Sequence, residues 1–222
     1  LGISGGKDSA VVAALLVEAL GKENVVGLTL PCHSKSKDKD GAKLISDYYG
    51  FELLNIDLTE VYDTFKYQIS LLGDFTEEQL KNSDINIKPR LRMSSVYYMA
   101  ALLSALRGKT YLVAGTSNKC ELYVGYFTKG GDSVHDIAPI ADLTVEEVIK
   151  VGEELKVPKE VLYRVPDDGL SNQSDEDKLG VTYKEIASYI NGDEVSEESK
   201  AIIKRLHNNS LHKFNIPTYK KQ

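Results

Sequence analysis

The 222 residues carry 27 basic and 33 acidic side chains for a formal charge of −6, a balance that speaks against a general nucleic-acid binder. The length supports one large domain or two small ones with a substantial core. The longest apolar stretch, AVVAALLVEAL, is broken by Glu18 and is too short to span a membrane.

The chain opens on LGISGGKDSA, in which LGIS reads as a strand, so an upstream part is expected to be missing; no secretory leader is visible. Val11, Val12, Leu15, Leu16 and Ala19 then recur at helical spacing, with Gly21 as the stop. NVVGLTLP is a buried strand closed by Pro31, and CHSKSKDKDGAK, being polar and charged, is expected to be a mobile loop. A helix over 41–49 follows, then the strand FELLNIDL and a helix beginning near Thr59, which can cap it. MSSVYYMAALLSALRG predicts a long helix ending at Gly108, and TYLVAGT another strand. Strands alternating with helices predict an α/β fold, a doubly wound, mostly parallel sheet flanked by helices.

Beyond Asp142 the chain is expected to be mainly helical, over 143–222 of the same single domain. LTVEEVIKVGEELK is amphipathic, with Thr144 as N-cap and Glu147 completing a capping box. RVPDDGLSNQSDEDKLG predicts a mobile, lid-like loop over 166–180. Two further helices are predicted over 183–190 and 196–208, ahead of a basic tail. Cys32 and Cys120 form no CxxC pair, which suits a reduced, cytoplasmic setting without a cysteine-bound zinc.

Ligands of such sheets gather at the carboxyl ends of strands, where both Ser4-Gly5-Gly6 and Gly115-Thr116 are placed. Adjacent glycines let backbone N–H groups turn toward an anion, and the helix that follows presents its positive end. The turn is therefore either a phosphate cradle or a packing turn. Asp8 would repel a phosphate unless a divalent cation lay between them, and Mg²⁺ is the usual solution. Neither a Walker loop nor a dinucleotide fingerprint is present.

The string SGGKDS resembles the PP-loop of the N-type ATP pyrophosphatases. With NIKPRLRM, GTSNKCELYVGYFTKGGDSVHDIAPIADL, SDEDKLGVTY and the pair His212-Lys213, nearly the whole chain is similar to the ammonia-dependent NAD synthetase family. That resemblance implies an adenine nucleotide alpha hydrolase-like, Rossmann-like fold. It implies a ligase that adenylates the carboxylate of deamido-NAD with ATP and amidates it with ammonia, giving NAD, AMP and pyrophosphate. Gly2, Ile3, Ser4, Gly5, Gly6, Lys7, Asp8 and Ser9 would hold ATP, with Arg92 and Thr116. Asp8 and Glu121 would hold Mg²⁺ and carry catalysis.

By the same resemblance Asn86, Arg90, Lys129, Asp132, Asp136, Glu176, His212 and Lys213 would bind deamido-NAD, and the protein would be a homodimer. Taken singly, each has a plainer reading: Asp8 as a helix-dipole acid, Glu121 as a solvated one, the arginines as surface cations. Two departures stand out. Val145 occupies a position where the family commonly has an ATP-contacting lysine, which Lys119 or Lys150 could replace, and Asp167 stands where it has serine or threonine. The length leaves no room for a glutaminase domain, so free ammonia is the expected nitrogen source. The alternatives are another PP-loop enzyme amidating a different carboxylate, or a non-catalytic nucleotide-binding module.

Overall fold

In a computed structural model, residues 1–34, 36–164, 174–215 and 218–219 are described. Helix α1 (Lys7–Leu20) follows the glycine turn, and its Ala10 to Ala14 are buried in the main core. Strands β1 (Val26–Thr29) and β2 (Glu52–Asn55) pair in parallel, joined by helix α2 (Ser36–Tyr49). The parallel sheet flanked by helices is the α/β arrangement that the alternating pattern predicts.

The predicted outer strands are reduced. LGIS contributes a parallel bridge from Gly2 to Leu28, closed by Ile3 N–H donating to Leu28 C=O at 2.8 Å. TYLVAGT keeps only the bridge between Ala114 and Ile137. An apolar run signals burial, and burial does not by itself supply a continuous ladder of neighbours.

Helix α2 corrects the loop expected up to Gly41. Ala42 and Ile45, both fully buried, anchor it. The helix begins at Ser36, ahead of these anchors, and an amphipathic helix needs apolar residues on one face only. Helix α3 (Thr59–Ser70) starts near the expected place, with a different device. Asp57 accepts from the Thr59 N–H at 2.9 Å, while the Thr59 hydroxyl accepts from the His33 N–H.

Helix α4 (Glu77–Arg107) is longer than MSSVYYMAALLSALRG predicted and takes in NIKPRLRM, with Pro89 inside it. A Thr76–Gln79 capping box starts it and Gly108, left-handed, ends it. Beyond it lie α5 (Lys119–Val124), α6 (Val145–Glu154), α7 (Lys159–Leu162), α8 (Asp175–Leu179), α9 (Tyr183–Asn191) and α10 (Glu197–Phe214). The Thr144–Glu147 box caps α6 as predicted. Helix α8, capped by Ser174, stands inside the stretch expected to be a loop; Asp167 lies outside the described residues. Helix α10 runs past 208 and carries His212 and Lys213 in its last turn.

Three apolar clusters hold these elements. One packs α1 against α2, α6 and α7, and a second packs β1 and β2 against α3 and α4. The third joins α5, α9 and α10. The glycine turn and the start of α5 therefore meet where the first and third clusters adjoin. No helix of the described residues is long and apolar enough to cross a membrane.

Candidate active site

The turn before α1 is knotted by its own serines. Gly5 sits at φ +79°, a conformation that side chains resist. The Gly6 N–H donates to Ser4 Oγ at 3.2 Å, the Ser4 N–H donates to Ser9 Oγ at 3.3 Å, and the two hydroxyls lie 3.1 Å apart. Ser9, buried, donates in turn to the Gly6 carbonyl. So Ser9 shapes the turn while exposed Ser4 faces outward. The first turn of α1, whose N–H groups have no partner within the helix, opens onto the same place.

Two residues outside the motif support the turn. A Cβ on Gly41 of α2 would stand 2.8 Å from the Gly5 carbonyl, so only glycine lets the helix pass so near. Arg164 donates to that same carbonyl at 3.2 Å. Nothing in the sequence pattern singled out Arg164, since the contact spans 159 positions.

Asp8 and Glu121 come together through Asn118. The Asn118 side-chain amide donates to Asp8 Oδ1 at 3.2 Å, and its backbone N–H donates to Glu121 Oε2 at 3.2 Å. Asn118 Oδ1 accepts from the Glu121 N–H, closing a capping box on α5. Asn118 is wholly buried. Its capping role was open to a reading of the sequence, but its bond to Asp8 was not.

Glu121 is half-buried rather than solvated. Burial first, and then the Asp8 carboxylate, push its carboxyl up to about 8, while Lys7 works in the opposite direction. Lys7 itself is buried, with Nζ 2.9 Å from Asp8 Oδ2 and 5.9 Å from the Tyr183 ring centroid.

A cavity of about 230 Å³ joins these groups, lined by Ser4, Gly6, Asp8, Ser9, Thr116, Ser117, Glu121, Tyr126 and Asp132. Ser117 and Tyr126 were not anticipated. A larger depression of about 360 Å³ lies along α3, lined by Asp57, Thr59, Glu60, Asp63 and Thr64. Both are lined by three acids, but only the smaller one is bordered by the glycine turn, so the smaller cavity is the better candidate for an anion.

The residues expected to face deamido-NAD form a second group. Thr128 donates through Oγ1 to Asn86 at 3.1 Å, and its N–H donates to Asp132 Oδ1 at 2.8 Å. Arg90 Nε donates to the Lys129 carbonyl at 3.3 Å, and Lys129 Nζ to the His212 carbonyl at 2.7 Å. Lys213 donates to the carbonyls of Gly125 and Phe127, each at 2.6 Å. Burial draws the Lys213 ammonium below the ordinary lysine value, with Asp132 opposing. Asp132 belongs to both groups; desolvation by its surroundings raises its carboxyl although the residue as a whole is exposed.

Three expected site residues have structural tasks. Asp136 accepts from the Val113 N–H at 2.7 Å and from the Tyr97 hydroxyl at 3.1 Å. Glu176 accepts from the Tyr183 N–H at 2.8 Å. Arg92 Nε donates to the Leu30 carbonyl at 3.1 Å, just past β1. Val145 packs in the third apolar cluster. Lys119 is paired with Asp142 at 3.0 Å, and Lys150 is exposed.

The NAD synthase family profile matches residues 1–220. The NH(3)-dependent NAD(+) synthetase of Alkaliphilus oremlandii is 41% identical over 98% of this chain and 86% of its own length. Among solved structures, an NMN synthetase from Francisella tularensis superposes with a TM-score of 0.88 at 34% identity, covering 100% of this chain and 88% of that one. The NH3-dependent NAD synthetase of Campylobacter jejuni superposes at 0.77 and 28%, covering 99% and 88%.

Proposed function

This chain belongs to the NAD synthase family as an ammonia-dependent ligase making NAD from deamido-NAD, ATP and ammonia, and we propose that the glycine turn, Asp8 and Glu121 carry its adenylation step. The observation that supports this assignment most is the Asn118 bridge. It brings acids from α1 and α5 into one cavity beside a turn built to receive an anion.

A carboxylate is a poor acyl donor, because its departing oxygen would leave as oxide. Attack of that oxygen on the ATP α-phosphorus forms a new P–O bond and releases pyrophosphate. Ammonia then attacks the carbonyl carbon, AMP departs with the oxygen, and one proton is lost. Both steps depend on placing anions together and neutralising the charge that builds at phosphorus. The glycine turn and the first turn of α1 seat the triphosphate, with Thr116 at its side.

The donor set fits Mg²⁺. Asp8 and Glu121 share a cavity, where burial first and the Asp8 carboxylate second raise the Glu121 carboxyl to about 8, and hard oxygen donors with places left for phosphate and water suit this ion. When bound, Mg²⁺ would supply charge neutralisation at the phosphates. Asn86, Arg90 and Lys129 provide polar groups for the nicotinate end of deamido-NAD, Asp132 lies between the two substrates, and Lys213 braces the 125–127 segment behind them. The His212 carbonyl holds Lys129 in place, while Asp136 steadies Val113 and Tyr97 and Glu176 holds the Tyr183 N–H at the start of α9.

A homodimer is supported by Tyr98, Leu102 and Leu106, exposed apolar residues at four-residue spacing on α4, with Phe65 of α3 also exposed. Monomeric proteins seldom leave such faces uncovered. The buried free thiols of Cys32 and Cys120 agree with a cytoplasmic setting.

The deciding experiment incubates the protein with ATP, Mg²⁺, deamido-NAD and ammonium. NAD, AMP and pyrophosphate are expected in equal amounts, and glutamine replacing ammonium should yield no NAD. Nicotinate mononucleotide belongs beside deamido-NAD as a competing substrate, given the relative named NMN synthetase. Faster amidation of the mononucleotide would overturn the dinucleotide assignment.

A further inference from the structure

Lys7 lies inside the motif expected to hold ATP, yet its ammonium is turned inward. The side chain is 8% exposed, and Nζ reaches Asp8 Oδ2 at 2.9 Å. The aromatic ledge beneath it is Tyr183, 5.9 Å from Nζ to the ring centroid. Tyr183 is itself fixed from both sides: its N–H donates to Glu176 Oε1, and its carbonyl receives the Cys120 thiol. Asp8 Oδ1 is occupied by the Asn118 amide. Both oxygens of the acid proposed to hold Mg²⁺ are thus engaged, one by a neutral donor and one by a full positive charge.

A buried ammonium normally needs a carboxylate partner, and a carboxylate beside another acid needs a cation. Lys7 meets both needs at once. Its charge acts on Asp8 directly and on Glu121 as well, which is the place a divalent cation held by these two acids would serve. An incoming dication meets like charge at Asp8 Oδ2 unless the lysine withdraws.

We propose that Lys7 is a tethered counter-ion of the metal site, and that its ammonium competes with the divalent cation for Asp8. The lysine then tunes how much metal the site requires, rather than serving as a phosphate ligand. This rests on the reading of Asp8 and Glu121 as metal-holding acids. Tyr183 is a positioning residue in this arrangement, since its ring bounds the space the ammonium occupies.

The test titrates Mn²⁺, as a paramagnetic probe, into the nucleotide-free full chain and follows free metal by electron paramagnetic resonance. Lys7→Met should bind Mn²⁺ at least about threefold tighter than the unmodified protein, a difference of about 0.6 kcal/mol by the relation between affinity and free energy. Its melting temperature should also rise more per increment of added Mg²⁺. Equal, weaker or undetectable Mn²⁺ binding by Lys7→Met overturns the proposal.

Should that variant not fold, the unmodified protein decides through a crystal structure with Mn²⁺ and a non-hydrolysable ATP analogue. Manganese on Asp8 with Lys7 Nζ moved out of hydrogen-bond reach is the expected result. Manganese on Asp8 with the Lys7–Asp8 pair intact overturns the counter-ion role alone. Manganese bound away from Asp8 and Glu121 overturns the metal reading, and this proposal with it.

Discussion

The cradle before α1 and the shelf that faces it are built by opposite means. The cradle is mostly local: Ser4, Gly6 and Ser9 bond among themselves across a few positions, Gly5 takes a distant bond from Arg164, and the helix behind them is buried through Ala10 to Ala14. The shelf gathers Asn86, Arg90, Lys129 and Lys213 from α4, the loop after α5 and the end of α10. It is held by side-chain bonds spanning 39 to 88 positions. A local turn backed by a packed helix keeps its shape when one contact is lost, whereas a cross-linked shelf depends on each tie.

That contrast sets the order of expected effects. Asp8→Asn keeps the size of the side chain and removes its charge. Pyrophosphate release should fall by about a hundredfold or more, in line with the loss of a preorganised electrostatic group, while the circular dichroism spectrum stays native. A fall of less than tenfold would sink the catalytic role assigned to the cradle.

Lys213→Met probes the shelf. Losing charge-assisted bonds to two carbonyls should raise KM for deamido-NAD by about tenfold, with KM for ATP little changed. Parallel losses for both substrates would mean that the two regions are not separable.

Asn118→Ala sits at the junction and should act on both stability and rate. Removing an N-cap costs about 1 kcal/mol, read as a lower denaturant midpoint, and releasing Asp8 should slow adenylation by a smaller factor than Asp8→Asn. A stability loss with an unaltered rate would reduce Asn118 to a cap.

A further effect, on stability and not on turnover, is one of pH on the metal-free protein. With its carboxyl raised to about 8 by burial and Asp8, Glu121 is protonated in the folded state where the unfolded chain has already released its proton. Folding stability should therefore decline as pH rises from the ordinary carboxylate range to about 8. Glu121→Gln should flatten this slope in melts recorded with a chelator between pH 5 and 8.

Much of the cradle was legible because its causes are local. Two glycines ahead of an apolar helical pattern specify a turn and a helix N-terminus, and Thr144 with Glu147 specifies a cap in the same way. Other devices depended on choices among neighbours. Thr59 looks like a cap, yet Asp57 lies two residues before the first free N–H and takes it. CHSKSKDKDGAK looks like a loop by polarity, yet α2, anchored by Ala42 and Ile45, takes it in from Ser36 onward. Glu121 looks like a solvated acid, and only the approach of α1 to α5 makes it a half-buried partner of Asp8.

The amino-acid order alone determined the alternation of strands and helices and the glycine turn, because each follows from the conformational preferences of residues a few positions apart, and it carried the family motifs as a resemblance. Tertiary structure decided that Asn118 joins Asp8 to Glu121, that Arg164 supports Gly5, and that Lys7 points into the protein. Those contacts are set by how the apolar faces of α1, α5 and α9 pack, and a side chain's electrostatic partner is fixed only when that packing is complete.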